Sequence, residues 1–278
     1  MNIGIIGQGF VGNAVYQKLK KYYKVFTYDV KVKLCNSDLE TILERCKIIF
    51  VCLPTPMNKD GSCNLDILDN TLKEINKASR DVDGRIVIIK STIIPGSTDK
   101  FQTEYPYIDL VFNPEFLTEA NAVDDFENQT RLLLGGPLRA TTKVKQIFSS
   151  VFRKTPRIIK TDAKTAELVK YVTNAFLSTK VSFANEMYQL CEGLDLDYDK
   201  IIEYATLDPR LGDSHWGVPG PDGDFGFGGH CFPKDLSALI EITKQLDTVN
   251  NVLRAVQTTN NTVRSNRDWE KMKGRAIV

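Results

Sequence analysis

The sequence predicts an α/β fold: a mostly parallel sheet wound with helices through the first half, then an all-helical second half built on one long helix. Three observations carry this. Short apolar runs alternate with helix-period segments as far as about residue 160, a glycine turn joins the first strand directly to the first helix, and from Asp162 the period becomes helical.

Asn2–Ile6 is a short apolar strand, and Gly7-Gln8-Gly9-Phe10-Val11-Gly12 follows at once, opening an amphipathic helix to about residue 22. In that context a GxGxxG pattern carries meaning. Gly7 makes the tight turn, Gly9 lets the main chain approach a pyrophosphate, Gly12 lets helix and strand pack closely, and the helix N-terminus offers amides to phosphates. A second strand, 24–29, ends in an acid 22 positions after Gly7. Asp29 is placed to accept from a ribose 2′-hydroxyl, which favours NAD as cofactor, while Lys31 and Lys33 leave NADP open. The first half is therefore expected to be a Rossmann-like NAD-binding domain over 1–161.

The alternation continues. A capping box at Ser37 and Glu40 starts a helix, 48–53 is a buried strand, 69–80 is helical, and 85–90 is the next strand. Strands at 110–113 and 131–134, a helix from about 140 to 152 and a strand at 157–160 complete the sheet. Ligands of such sheets gather at the carboxyl ends of strands. Three polar clusters follow strands there: Pro54-Thr55-Pro56, Ser91-Thr92 with Pro95-Gly96, and Asn113-Pro114-Glu115-Phe116-Leu117-Thr118-Glu119. Each alone is ordinary turn chemistry, whereas three on one rim are expected to form a pocket.

The second half, 162–278, is predicted to be helical. One long helix runs to about 192 with Leu168, Tyr171, Val172, Ala175, Phe176 and Thr179 at helical spacing, and Gly193 closes it. Lys170 and Asn174, four residues apart, share a face that reads either as solvated surface or as part of a site. Further helices are expected at about 198–207, 234–246 and 249–266, with a Gly/Pro/Asp-rich loop over 208–225. Trp216 in that loop reads as a packing anchor or as a stacking platform.

Residues 226–235 read GFGGHCFPKD. Gly226, Gly228 and Gly229 permit close approach of the main chain to a ligand, and Pro233 suits the first turn of the following helix. Cys231 is then near a helix N-terminus and beside Lys234, two neighbours that favour thiolate over thiol. A buried structural cysteine is the plain alternative. The glycines and the Cys-x-x-Lys-Asp spacing favour an activated nucleophile.

The chain has 278 residues, 42% of them hydrophobic, and a formal net charge of +1, which gives no reason to expect a nucleic-acid or membrane surface. The N-terminus has no basic leader and no apolar run approaches the roughly 18 residues of a span, so the expected location is cytoplasmic. Six scattered cysteines read as reduced thiols, and two histidines give little material for a metal site or a catalytic triad. His230 adjoins Cys231 and reads as a loop histidine.

Four segments in order, FNPEFLTEANAVDDF from Phe112, ELVKYVTNAFLSTKVSFANE from Glu167, DPRLG from Asp208 and GFGGHCFPKD, resemble the nucleotide-sugar 6-dehydrogenases, the UDP-glucose/GDP-mannose dehydrogenase family, with members acting on UDP-glucose the nearest type. The resemblance implies an NAD-dependent four-electron oxidation of a sugar C6 alcohol to the acid, through a thiohemiacetal and a thioester on Cys231. It assigns Lys170 to the oxyanion, Asn174 to the C6 oxygen, Thr92 and Asp235 to a water, and Glu119 to proton transfer. It places Glu115, Phe116, Leu117, Glu119, Lys170, Asn174 and Gly228 at the sugar nucleotide, and Arg210 at a neighbouring subunit's site. Val11, Asp29, Thr55, Thr92, Glu119 and Lys234 join Gly7, Gly9 and Gly12 on the cofactor side. It also implies a homodimer through the 162–192 helix, and a C-terminal nucleotide-binding domain that this sequence lacks, 273–278 reading as its first strand. Two other readings stand beside it: a single-step β-hydroxyacid dehydrogenase and a noncatalytic NAD-binding subunit.

Overall fold

A computed structural model describes residues 1–152 and 156–278. The chain divides into two compact units, Met1–Thr55 with Leu65–Lys170, and Pro56–Asn64 with Tyr171–Val278.

In the first unit the strands are β1 (Asn2–Ile6), β2 (Lys24–Tyr28), β3 (Ile48–Val51), β4 (Ile86–Ile89), β5 (Asp109–Phe112), β6 (Arg131–Gly135) and β7 (Arg157–Thr161). They form one sheet in the order β2-β1-β3-β4-β5-β6-β7. Every pairing is parallel except β5 with β6, which meet antiparallel at Phe112 and Gly135. The strand order reverses between β1 and β3, which opens the crevice where ligands of doubly wound sheets bind.

The helices of this unit are α1 (Phe10–Leu19), α2 (Leu39–Arg45), α3 (Asp66–Lys77), α4 (Ser97–Glu104), α5 (Ala122–Asn128) and α6 (Leu138–Val151). Residues of α1, α5 and α6 pack on one face of the sheet, and residues of α2, α3 and α4 on the other. A sheet covered on both faces needs strands apolar on both faces, and Ile48–Val51 and Ile86–Ile89 are buried throughout. Phe50 meets Phe148 edge-on at 6.0 Å, and Phe148 and Phe126 both pack on Phe152.

The expected mostly parallel sheet, followed by helices, is the observed fold, with local corrections. The cap of α2 is Asp38, whose carboxylate accepts from the Thr41 amide at 2.7 Å, while the Ser37 hydroxyl donates to the Asp38 carbonyl. An aspartate one residue later is as good a cap as the serine, and it displaces the expected Ser37/Glu40 box. α4 and α5 fall in stretches for which the sequence predicts no element, because both are short and α4 is mostly polar. Glu167 supplies what α4 lacks. Its buried carboxylate accepts from the Gly96 and Thr98 amides and the Thr98 hydroxyl.

The long helix α7 (Ala163–Gly193) is continuous, and its residues from Tyr171 onward open the second unit. Gly193 lies inside it. The chain leaves the helix at Asp195, φ 56°, with the Leu196 amide donating to the Cys191 carbonyl at 2.9 Å, so an aspartate fills the left-handed position usually given to glycine. α8 (Tyr198–Ala205), α9 (Phe232–Gln245) and α10 (Asn251–Val263) complete the unit. Ala175, Phe227, Leu236, Ile240 and Val256 form one core, and Ala184, Cys191, Tyr198 and Val218 another. The tail expected as a strand makes only bridges: the Met57 amide donates to the Ala276 carbonyl at 2.8 Å and the Val278 amide to the Met57 carbonyl at 3.1 Å. Among the described residues, no helix is long and apolar enough to cross a membrane.

Candidate active site

The cofactor turn is built at the β1 end of the crevice. The Gly7 amide donates to the Tyr28 carbonyl at 2.8 Å, and a Cβ on Gly12 would sit 1.9 Å from the Gly7 carbonyl oxygen, so only glycine lets α1 approach β1 this closely. Gly9 N-caps α1 without any side-chain cap, and nothing lies within 4 Å of where its Cβ would be. Uncapped helix amides and open space above Gly9 fit a pyrophosphate. Asp29, half-buried after β2, accepts from the Gln8 amide at 2.7 Å and the Lys31 amide at 2.8 Å, which fixes its carboxylate beside the same turn. Val11 lies in the first turn of α1.

The strand-end clusters are partly joined. The buried Thr55 hydroxyl donates to the Thr92 carbonyl at 2.7 Å, linking the turns after β3 and β4. After β5, the Glu115 carboxylate accepts from the Leu117 amide at 2.7 Å and from the Lys170 ammonium at 2.9 Å, and the Glu115 carbonyl also accepts from Lys170 at 2.6 Å. Both side chains are buried. Burial opposes ionisation of Glu115, but Lys170, the Leu117 amide and Lys90 outweigh it and hold the carboxyl below its usual range. The Phe116 ring lies 4.5 Å from the Arg131 guanidinium and 5.4 Å from the Lys170 ammonium. Glu119 is exposed in the turn ahead of α5.

In the second unit, Cys231 is the N-cap residue of α9, and Pro233 lies in the first turn. Lys234 and Asp235 form a buried ion pair at 2.5 Å, and the Asn174 amide donates to the other Asp235 oxygen at 2.6 Å. Lys170 and Asn174, whose spacing alone reads as a solvated face, are 3% and 5% exposed. Burial works against the Lys234 ammonium, yet Asp235 and the Cys231 and Cys63 sulfurs overcome it and hold its pKa above the ordinary lysine value. An ammonium that stays charged next to a cysteine at a helix N-terminus is the setting in which a thiolate forms.

The turn ahead of Cys231 is held by residues that sequence reasoning missed. Gly226 has φ 65°, and a Cβ there would meet the Asn260 side-chain oxygen at 2.3 Å. That oxygen accepts from the Phe227 amide at 2.7 Å, the Asn260 amide donates to the Phe227 carbonyl at 3.0 Å, and Asn185 accepts from the Gly226 amide at 3.0 Å. Arg264 pairs with Asp222 at 2.6 Å, and Asp268 accepts from the Gly229 amide at 3.1 Å. A Cβ on Gly228 would strike both Arg264 and Asp268. Asn185 and Asn260 are polar residues within helices, whereas Asp222, Arg264 and Asp268 lie in or beside loops and carry no sequence signal. Arg210 is 87% exposed, pairs with Asp208 and joins neither cluster. Trp216 is a packing anchor: its ring nitrogen donates to the Gly212 carbonyl at 2.8 Å and its ring meets Phe183 and the Lys180 ammonium. The His230 ring nitrogens are shielded from solvent, which corrects the expectation of an open loop histidine.

Comparison with known proteins bears on the family. Residues 15–155 match the NAD binding domain of the UDP-glucose/GDP-mannose dehydrogenase family, and residues 164–262 match its central domain. UDP-glucose 6-dehydrogenase AglM of Haloferax volcanii is 33% identical over 219 residues, covering 74% of this chain and 50% of that protein. UDP-glucose 6-dehydrogenase YwqF of Bacillus subtilis is 33% identical over 236 residues, 81% of this chain and 51% of that one. Among solved structures, a UDP-glucose dehydrogenase from Pyrobaculum islandicum superposes with a TM-score of 0.83 at 28% identity, covering 94% of this chain and 68% of that one. The chain thus spans about half the length of the curated relatives it matches.

Proposed function

The chain belongs to the UDP-glucose/GDP-mannose dehydrogenase family, and from that membership we propose that it is an NAD-dependent nucleotide-sugar 6-dehydrogenase, oxidising a C6 alcohol to the carboxylate in two steps through Cys231, with UDP-glucose to UDP-glucuronate the expected pair. The observation that carries this reading is the Cys231 setting: a cysteine capping α9, next to a buried Lys234–Asp235 pair that also holds Asn174.

Bound NAD would accept a hydride in each oxidation, and the Gly7–Gly12 turn with Asp29 is the part of this chain that would hold it. The chain's own residues do the rest. Lys170, held by Glu115, stabilises negative charge on the C6 oxygen as its proton leaves, and Asn174 orients that oxygen. The Cys231 thiolate adds to the aldehyde carbon, giving a thiohemiacetal whose oxidation leaves a thioester on the same sulfur. Water adds to the thioester carbonyl, the carbon–sulfur bond breaks, and the acid leaves as the thiolate re-forms. Glu119 is assigned the proton transfers, and Thr92 and Asp235 the ordering of water. The covalent link keeps the reactive aldehyde from escaping between the two oxidations.

The same reading includes a homodimer. Val172, Phe176, Phe183 and Leu190 on α7 are 55%, 64%, 50% and 52% exposed at four- and seven-residue spacing. Such a helical stripe of large apolar side chains fits burial against a second copy, which would also give the exposed Arg210 a partner subunit to reach.

The test is NADH production by purified protein with UDP-glucose, UDP-N-acetylmannosamine, UDP-galactose and GDP-mannose. Turnover with one nucleotide sugar supports the reading. NAD binding without turnover on any of them makes the chain a cofactor-binding subunit instead.

A further inference from the structure

Lys90 follows β4 and is 3% exposed. Its ammonium donates to the Asn113 carbonyl at 3.0 Å and to the Asn113 side-chain oxygen at 2.9 Å, and the Asn113 amide donates to the Leu133 carbonyl at 2.8 Å. These bonds tie β4, β5 and β6 together at the point where the chain leaves β5 for the Pro114–Leu117 turn. Two residues on, Glu115 holds Lys170 by carboxylate and carbonyl. Besides Asn113, the groups facing Lys90 are Cys52 after β3, Glu115 after β5, Lys170 on α7 and the Phe126 ring of α5 at 5.7 Å. The Glu115 carboxylate thus acts on both buried ammoniums, on Lys170 by direct contact and on Lys90 through space. Burying an unmatched cation is costly, and an apolar side chain at position 90 would serve the core better.

We propose that Lys90 is a positioning residue for the oxidation: through Asn113 it fixes the turn that carries Glu115, so aiming the Lys170 ammonium, and its own charge adds to the positive potential there. This inference rests on the oxyanion role given to Lys170 above. Burial pushes Lys90 down to about 8, Lys170 pushes the same way, and the Glu115 carboxylate pulls it back. Cys52 is itself pushed up to about 12 by burial and stays a thiol across that range. The added positive potential is thus present at neutral pH and lost as Lys90 deprotonates.

Three proteins test this: the natural chain, Lys90→Met and Asn113→Asp, each assayed for kcat and both KM values between about pH 6.5 and 9.5, with amide exchange followed over residues 113–117. The natural chain is expected to lose kcat above about pH 8. Lys90→Met should lower kcat roughly tenfold at pH 7, leave the KM for NAD unchanged, remove that alkaline break and expose the Leu117 amide to exchange. Asn113→Asp puts a carboxylate against the ammonium and should move the break upward by about one unit. A folded Lys90→Met protein with the natural kcat and pH profile, an unmoved break in Asn113→Asp, or unchanged Leu117 exchange in Lys90→Met overturns the proposal. Should the natural chain reduce no NAD with any nucleotide sugar, the proposed function fails on that result, and exchange at Leu117 still decides the positioning role of Lys90.

Discussion

The two polar clusters bury charge in opposite ways. After β4 and β5, the Glu115 carboxylate bonds the Lys170 ammonium directly and acts on the Lys90 ammonium through space, while Lys90 itself is held by the neutral Asn113. At the start of α9, Lys234 and Asp235 match one to one, and the group beside them is a thiol at a helix N-terminus. The first arrangement suits stabilising an anion that appears only during reaction. The second keeps a paired ammonium next to a cysteine sulfur. Under the proposed function, the oxidation and the covalent capture would each have their own electrostatic setting.

Removing the nucleophile separates the two most sharply. Cys231→Ser should cut nucleotide-sugar turnover by roughly a thousandfold or more while NAD binding, measured by calorimetry, stays unchanged. A serine variant that still carries out both oxidations removes the covalent role. Breaking the matched pair comes next. Asp235→Ala leaves the Lys234 ammonium buried without its carboxylate and should cost about 3–5 kcal/mol in urea unfolding. A loss under about 1 kcal/mol would mean that Lys234 finds water or another acceptor.

The unmatched cluster should show itself through pH. Lys90 has a folded pKa of about 8, against roughly 10.4 for a free lysine. Between these values the folded protein holds fewer protons than the unfolded chain, so the Lys90 contribution makes stability rise with pH across that window, by up to roughly 3 kcal/mol. Comparing the chain with Lys90→Met by urea unfolding at pH 7.5 and 10 isolates that contribution, and the variant should lack the rise. The smallest expected effect is at the support of the thiol turn. Asn260→Ala strips two hydrogen bonds from Phe227 and should cost about 1–3 kcal/mol, with kcat falling more than the KM for NAD rises.

Much of the fold was legible because its signals are local. The β1 run, the Gly7–Gly12 turn and Asp29 lie within 28 residues, and the glycine pattern works through close backbone approach that any substitution would block. The candidate site was legible where motif spacing puts its members side by side, as with Cys231, Lys234 and Asp235. Its supports were not. Lys90 finds Asn113 across 23 residues, Gly226 finds Asn185 across 41, and Gly96 finds Glu167 across 71. None of those partners has a sequence signature, because a carboxamide or lysine on an otherwise apolar face reads the same whether it is solvated or buried. On α7 the helical spacing predicts the helix but not which positions its own unit covers: Tyr171 and Ala175 are buried, whereas Val172 and Phe176 face outward.

In the proposed function, one thiol links two oxidations. NADH formed per nucleotide sugar consumed, measured together with the intact mass of the protein during turnover, tests it most directly. Two NADH per sugar with a transient adduct on Cys231 is the predicted result. One NADH per sugar with no adduct would contradict it and leave a single-step dehydrogenase.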